Sequence, residues 1–370
     1  MRILHVIPFL WSGAGNVLTR LCLSQAKHNK VAVVTSGRAK GLTDWPEYTQ
    51  TLRRAGVELF KIDFFDRSPE VFWPSVGAFD KLAQTWKPDL IHCHSGVPAA
   101  AAAMSGRRFI AQIHSWGVDR PAWMNAMDLG AFRQADRVVC GSMAYRRILI
   151  DGGINPMLIH HIPWGLDILD ITARSRGSSG AANSFRIGFL GRVEPRKNQL
   201  CLAKAFQKFH GRYPHSKLEF VGPFADNEYA GEVRRFIEKT GLGDRVKLVG
   251  RVANPYPRVR SWNLFTSLSC DEGQGIAVLE AMALGVPVLG RCVAGIEDYL
   301  HDRQTGITVG SASAQEVAAG MEWALHHKEE LAIMASQARR MVENQYGWDS
   351  TVRRIRNVYE TITGANQRLA

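Results

Sequence analysis

The sequence has no apolar stretch of the length needed to cross a bilayer. Its opening run, Ile3 to Pro8, is too brief for the core of a secretory signal with its cleavage site. A cytosolic location is expected on that basis. The six cysteines (Cys22, Cys93, Cys140, Cys201, Cys270 and Cys292) are scattered and form no Cys-x-x-Cys pair. That argues against a zinc site and a disulfide framework, and it fits a reducing compartment. There is no Walker loop, no G-x-S-x-G elbow and no Asp-x-Asp pair. Asp167 and Asp170 are three apart and belong on a surface turn. No metal-ligand cluster is present, and no metal is expected.

Acidic residues are in the minority, with 34 Asp and Glu against 46 Lys and Arg, so the net charge is +12. The excess forms no long run and no basic tail. A nucleic-acid module concentrates its charge, so nucleic acid is not an expected partner. An anionic small substrate, an anionic membrane surface and a generally basic enzyme all remain compatible with it.

What is there is an alternation. A chain of 370 residues exceeds one ordinary core, and two domains are expected. Short apolar runs read as buried strands at Ile3 to Pro8, Val31 to Thr35, Val57 to Ile62, Leu90 to His94, Phe109 to His114 and Arg137 to Cys140. Asn16 to Lys27 has helical periodicity. The pattern breaks at Ile171 to Gly180, a polar Gly/Ser stretch that reads as a linker. It restarts with strands at Ile187 to Leu190, Leu218 to Val221, Val246 to Val249, Leu264 to Leu268 and Val286 to Leu289, a helix at Asn198 to Phe209, and a last helix near Ser350 to Ile362. Two α/β halves with parallel sheets follow from this alternation. Ligands of such sheets sit beyond the carboxyl ends of the strands.

Three segments carry the chemistry. Asp271-Glu272-Gly273-Gln274-Gly275-Ile276 is a glycine-bearing turn that opens a helix through Glu280 to Gly285. The free amides and dipole of that helix favour an anion such as diphosphate. Glu272 on the turn can accept hydrogen bonds from sugar hydroxyls, and Glu280, one turn in, can meet ribose hydroxyls. Either glutamate alone is better read as dipole-stabilising, whereas the whole segment, with two glycines and two acids flanking one anion site, points to function. Gly191-Arg192-Val193-Glu194-Pro195-Arg196-Lys197 puts three cations at the end of a strand, where guanidinium and ammonium groups suit phosphate. Ser12-Gly13-Ala14-Gly15 follows the first strand, but Leu18 stands where a third glycine is needed and no acid ends the second strand. An NAD fingerprint is therefore weak, and a close-approach loop near a sugar or phosphate is retained. His94 and His114 each end a predicted strand and can reach a ligand. For His94 a structural role bonded to backbone is at least as good a reading, and His92 faces the packing.

These residues resemble glycosyltransferase family 4, the group 1 glycosyltransferases of the GT-B fold. The most specific match is the Glu-x7-Glu segment at Glu272 and Glu280, followed by Glu-Ala-Met-Ala and Gly-x-Pro-Val. The Gly-Arg and Lys element at Gly191, Arg192 and Lys197 is similar. So are Pro88 to His94, Ala135 to Ser142, Ile162 to Asp167 and the closing Trp348 to Tyr359 pattern. The resemblance implies an α/β GT-B architecture, two Rossmann-like domains facing across a cleft. Residues 1–172 would form the acceptor-side domain and 184–346 the nucleotide-sugar domain, with a final helix, about 347–370, packing back on the first. Arg192 and Lys197 would bind the donor diphosphate. Glu280 would hold the ribose, and Glu272 the donor sugar, helped by amides of Gly273, Gln274, Gly275 and Ile276. His114 would sit beside the transferred sugar. Gly13, Ala14 and Gly15 would line the boundary of donor and acceptor. The family retains anomeric configuration and works without a metal ion.

The expected function is transfer of a sugar from a nucleoside-diphosphate sugar, with UDP or GDP as carrier, to a saccharide or lipid-linked acceptor in glycan or polysaccharide biosynthesis. The basic charge is compatible with peripheral association at the inner face of a membrane. Departures from the family pattern are Gln274 between two glycines, Ala14 beside Gly13, and Asn16 where a glutamate is common. They bear on sugar preference and acceptor placement. An inactive sugar- or partner-binding protein, and an epimerase or phosphorylase of the same architecture, are the rival readings. The acceptor would contact the first domain, where the aromatic stretches at Trp45, at Phe72 and Trp73, and at Ser115-Trp116-Gly117 suit either ring stacking or loop packing.

Overall fold

Val31, Ala32, Val33 and Val34 are buried in succession, without the alternation of a half-exposed strand. That pattern belongs to a parallel strand covered on both faces, and it recurs through the chain. The structure, a computed structural model, describes residues 1–39, 42–116, 120–177 and 184–364. The chain divides into two units, Met1–Trp164 with Asp349–Ala370, and Gly165–Trp348.

In the first unit β1 (Arg2–Val6) leads to α1 (Ser12–Ala26) and β2 (Lys30–Thr35). A small hairpin of β3 (Arg38–Ala39) and β4 (Leu42–Thr43) precedes α2 (Pro46–Arg54) and β5 (Glu58–Lys61). Then come α3 (Pro69–Trp86), β6 (Leu90–His94), α4 (Gly96–Met104), β7 (Ile110–Ile113) and α5 (Ala122–Arg133). The series closes with β8 (Arg137–Cys140), α6 (Met143–Asp151) and β9 (Ile159–His161). The main sheet runs β5-β2-β1-β6-β7-β8-β9, all parallel. Its strand order reverses between β1 and β6, where a doubly wound sheet leaves a crevice at the carboxyl ends.

The second unit repeats the plan. It starts with α7 (Ile168–Arg174), β10 (Arg186–Leu190), α8 (Gln199–Arg212), β11 (Lys217–Val221), α9 (Asn227–Lys239) and β12 (Val246–Gly250). It continues with α10 (Tyr256–Arg260), β13 (Leu264–Ser267), α11 (Ile276–Ala283), β14 (Val288–Arg291) and β15 (Ile307–Val309). It ends with α12 (Ala314–His326) and α13 (Lys328–Gln345). The sheet order is β12-β11-β10-β13-β14-β15, again parallel, with its reversal between β10 and β13. Helix starts follow local chemistry. Ser142, Asp167, Asp226 and Ser313 each accept a hydrogen bond from the backbone N–H three residues on.

The segment expected to be a linker differs. The boundary of the first unit falls after Trp164, ahead of the expected 172. Asp167 caps α7, so the polar stretch begins as a helix. Ile171 and Ser175 are buried in the second unit, where Arg260 donates to the Ser175 hydroxyl and Asn254 to the Arg174 carbonyl. One apolar residue at helical spacing and two tertiary hydrogen bonds were enough to fold what composition marks as loose. Residues 178–180 of that stretch lie outside the described residues. The first helix also starts earlier than its periodicity indicated, at Ser12, because Gly13, Ala14 and Gly15 form its first turn. Strands β9 and β15 had no expectation attached to them.

The last helix, α14 (Trp348–Thr363), belongs to the first unit from Asp349 onward; residues 365–370 lie outside the described part. Thr351 donates to the Pro163 carbonyl at 2.8 Å and Arg354 to that of His161. The Tyr359 hydroxyl is buried between Gln25 Nε2 at 3.1 Å and His92 Nδ1 at 2.8 Å. Among the described residues no helix is long and apolar enough to cross a membrane.

Tyr359→Phe removes the hydroxyl and strands two buried polar groups. A loss of about 1–3 kcal/mol in unfolding free energy is expected, read as a lower urea midpoint with an unchanged slope. A variant as stable as the parent would show that the hydroxyl contributes no net stability.

Candidate active site

In the second unit two loops leave neighbouring strands at the point of reversal. One follows β10 and carries Gly191, Arg192, Arg196 and Lys197; the other follows β13 and carries Ser269 to Gly275. They are sewn together by charge. The Lys197 ammonium meets Glu272 Oε1, and both side chains are nearly buried. Ser269 donates to the same Glu272 oxygen at 2.7 Å. Arg196 donates to the Asp271 carbonyl at 3.0 Å and pairs with its carboxylate at 3.5 Å. Arg192 pairs with Glu194 at 3.0 Å. Burial alone would raise the Glu272 carboxyl. The Lys197 charge, its hydrogen bond and that of Ser269 outweigh burial and hold it below the ordinary carboxylate range. Burial lowers Arg192, and Glu194 partly offsets that.

The cluster of cations expected from the sequence is therefore a cluster of ion pairs. Three cations (Arg192, Arg196, Lys197) stand with three acids (Glu194, Asp271, Glu272). The ion pairs hold these side chains to one another, and groups held in place lower the cost of binding.

The second loop turns into α11 at Gly275, whose φ of +70° is left-handed. A Cβ there would also fall 2.4 Å from Tyr299 Oη, so glycine is required twice over. That Tyr299 hydroxyl donates to the carbonyls of Gln274 and Gly275 at 2.8 and 3.1 Å, which fixes the turn. Gly273, Gln274 and Ile276 are thus held at the helix N-terminus. Glu280 lies farther along the helix, buried, and accepts from the Tyr256 hydroxyl at 3.0 Å.

In the first unit His114 follows β7. Its ring stacks on Trp164, centroids 5.6 Å apart and planes at 9°. It is the last member of a buried chain. His114 Nε2 meets His94 Nδ1 at 2.9 Å, His94 Nε2 meets His5 Nδ1 at 3.0 Å, and His5 Nε2 meets Gln25 Oε1 at 2.8 Å. Gln25 Nε2 then donates to Tyr359. Burial pushes His5 and His114 down to about 4, and His92 and His94 well below the usual imidazole range. The rings are thus neutral near pH 7, with one N–H each.

The protons then follow in order. Gln25 Oε1 accepts, so His5 carries its proton on Nε2. His5 Nδ1 accepts, so His94 carries its proton on Nε2. His94 Nδ1 accepts from His114 Nε2, which leaves His114 Nδ1 as an acceptor. His94 is therefore structural, but it is bonded to two imidazoles rather than to backbone.

Ala14 lines the same cavity as His114, within the first unit. Gly13 and Gly15 flank it in the first turn of α1, and Gly15 N–H donates to the Trp11 carbonyl at 2.9 Å. Of the three aromatic stretches, Trp116 lines this cavity, Trp45 packs on Tyr48, and Phe72 packs on an exposed Trp73. Gly117 lies outside the described residues. Among the described residues His5, His92 and His94 form the one group with metal-ligand spacing. All their ring nitrogens except His92 Nε2 are hydrogen-bonded within the unit.

The sequence reading missed Tyr256, Ser269 and Tyr299 in the second unit, and His5, Gln25 and Trp164 in the first, and it marked Tyr359 only as the end of the closing pattern. His5 carried a signal, since it pairs with His92 across parallel strands beside His-x-His. Tyr256 and Tyr299 meet their partners only through the fold and carried none.

Comparison with known proteins places this architecture. Residues 172–341 match the family described as "Glycosyl transferases group 1", and residues 11–168 match "Glycosyltransferase Family 4". The chain belongs to the family 4, group 1 glycosyltransferases. A "glycosyltransferase 1 domain-containing protein 1" of Xenopus tropicalis is 30% identical over 169 residues, 45% of this chain and 46% of that one. A GDP-mannose-dependent alpha-(1-6)-phosphatidylinositol monomannoside mannosyltransferase of Mycobacterium tuberculosis is 25% identical over 212 residues, 53% of this chain and 54% of the relative. The matches thus span about half the length of these curated relatives. The crystal structure of Anabaena HepE with UDP and glucose has the same fold, with TM-score 0.81, 21% identity, and coverage of 98% of this chain and 100% of that one.

The histidine chain makes stability depend on acid. The folded values of His5 and His114 lie at about 4, below the ordinary 6.5. Between those limits the unfolded chain binds protons that the folded chain does not, so stability is full above pH 6.5 and falls as pH drops towards 4. Urea unfolding from pH 7.5 to 4.5 is expected to show that fall, with a smaller slope in His5→Gln. A flat profile would mean that the rings are charged in the fold.

Proposed function

We propose that the chain transfers a sugar from a nucleoside-diphosphate sugar to a saccharide or lipid-linked acceptor, with retention of anomeric configuration. The observation that carries this reading is the preordered loop pair of the second unit. Arg192, Lys197, Glu272 and the α11 amides are gathered there at the reversal of a parallel sheet. In this reading Arg192 and Lys197 take the diphosphate, Glu280 the ribose, and Glu272 with the turn at Gly273 to Ile276 the donor sugar. Gly13, Ala14 and Gly15 bound the space for the transferred group. The Anabaena structure holds UDP and glucose, and the mycobacterial relative is named for GDP-mannose, which supports a nucleotide-sugar donor. The lipid in the mycobacterial name supports the acceptor class.

The reaction breaks the bond from the anomeric carbon to the β-phosphate oxygen. An acceptor hydroxyl forms the new bond on the same face, and its proton passes to the departing phosphate oxygen. Charge grows on the diphosphate, where Arg192, Lys197 and the helix amides offset it. Positive charge grows on the sugar ring. A charged imidazole beside it would oppose that change. The neutral His114, with Nδ1 as acceptor, can instead hold a sugar hydroxyl. No residue is assigned as a covalent nucleophile, and no metal is invoked.

Thermal melting with UDP, GDP, ADP and NAD tests the donor. A nucleotide at 100 times its Kd is expected to add about 2.7 kcal/mol. UDP or GDP should raise the midpoint selectively, and Lys197→Ala should lose the effect. Stabilisation by NAD alone, or by none of the four, would count against the transferase. An inverted anomeric product by NMR would remove retention.

A further inference from the structure

A cavity of about 240 Å³ opens within the first unit where β1, β6 and β7 end. It is smaller than the ~300–1,000 Å³ of pockets for drug-sized ligands, so it has room for about one ring and a substituent. Phe9, Phe65, Trp116 and Phe132 line it, and His114 and Ala14 form part of its wall. Two arginines and one acid, Arg67, Arg120 and Asp128, stand among these rings.

Arg120 is committed. It pairs with Asp128 Oδ2, donates to the Trp116 carbonyl at 3.2 Å and lies over the Trp116 ring at 5.3 Å. Asp128 gives Oδ2 to Arg120, while its buried Oδ1 has no hydrogen-bond partner among the described residues. Its carboxylate abuts the start of α4, where a Cβ on Gly96 would fall 1.9 Å from Oδ1. Arg67 is served poorly. It lies 3.8 Å from Asp128 Oδ1, beyond hydrogen-bond length. Its buried Nε has no hydrogen-bond partner among the described residues. Its charge is further opposed by Arg120. His94 and His114 are neutral, so the lining carries one positive charge more than negative.

Ser95, between β6 and α4, is a second and independent sign. Its φ of 125° and ψ of 175° lie where residues with a side chain are rarely found. Its buried hydroxyl also lacks a partner among the described residues. Glycine would fit that backbone better. Strain and an unmet hydroxyl are both unfavourable, and a ligand that accepts from the hydroxyl would remove the second cost.

We propose that this cavity binds an oxyanion on the acceptor, a phosphate, sulfate or carboxylate next to one ring, held by Arg67 and the Ser95 hydroxyl. That the ligand is the acceptor rests on the transferase reading; that an anion binds here does not. A half-buried guanidinium whose Nε has no partner, in a lining with one positive charge in excess, suits such a group through its planar donors. The aromatic walls take the attached ring, and His114 stands at the same cavity.

Calorimetric titration of the full chain with phenyl phosphate and with phenol tests this, repeated with UDP and GDP present to occupy a donor site. Phenyl phosphate is expected to bind saturably in every case, and phenol to bind at least tenfold more weakly. Arg67→Gln should weaken phenyl phosphate at least tenfold and leave nucleotide stabilisation intact. Ser95→Gly should melt at higher temperature and yet bind phenyl phosphate less well, a combination that a purely structural serine would not give. Absence of binding, or equal binding by phenol, overturns the proposal. So does unchanged affinity in Arg67→Gln, or in Ser95→Gly where Arg67→Gln does not fold. Phenyl phosphate binding with no nucleotide stabilisation would leave the anion site standing and remove the transferase.

Discussion

Lys197 and Glu272 depend on each other. Each is nearly buried, and a single charge left there without its partner would cost several kcal/mol. Together they tie the loop after β10 to the loop after β13, and much of the second unit's site follows from that tie. Arg196 can reach Asp271 only with the loops side by side. Ser269 donates to the same carboxylate and helps hold it ionised. The turn into α11 then needs only the left-handed Gly275 and the Tyr299 clamp to aim its amides. An ion pair of this kind adds little net stability over apolar residues of the same size. Its contribution is to specify one arrangement of two loops.

Much of this was legible in the residues. Apolar runs located most of the parallel strands because a strand buried on both faces has no alternation to obscure it. Glu272, Glu280, Arg192 and Lys197 stood out because glycines and charges of both signs cluster at strand ends. Pairing was less legible. A run of three cations looks like an open anion site until the acids of a distant loop are placed against it. The segment from Ile171 to Arg176 looked loose because its composition is polar, and only the tertiary partners Asn254 and Arg260 show otherwise. Arg67 is remote in sequence from Arg120 and Asp128, so its meeting with them is a property of the fold and not of any motif.

The two units handle polarity in opposite ways. The second gathers full charges and neutralises them in pairs. The first buries three imidazoles, adds a half-buried fourth in His114 and keeps them neutral, so that order comes from the direction of hydrogen bonds. A neutral ring can be donor or acceptor at either nitrogen, and a chain of rings removes that freedom one link at a time. Gln25, more than 80 residues from His114 in sequence, therefore has a say in which nitrogen His114 presents. The lining of the cavity beside that ring keeps one positive charge in excess.

The helix α14 has a consequence for the order of events in the cell. His5 and Gln25 are made long before the Tyr359 that completes their network. Between Trp164 and Tyr359 the ribosome must produce the whole second unit. At 5–20 residues per second that interval lasts on the order of ten to forty seconds. Through it the nascent first unit has its strands but not its last helix, and buried polar groups wait for a partner still to be translated. Such a chain cannot finish its domains strictly in the order it makes them. The unit begun first is the one completed last.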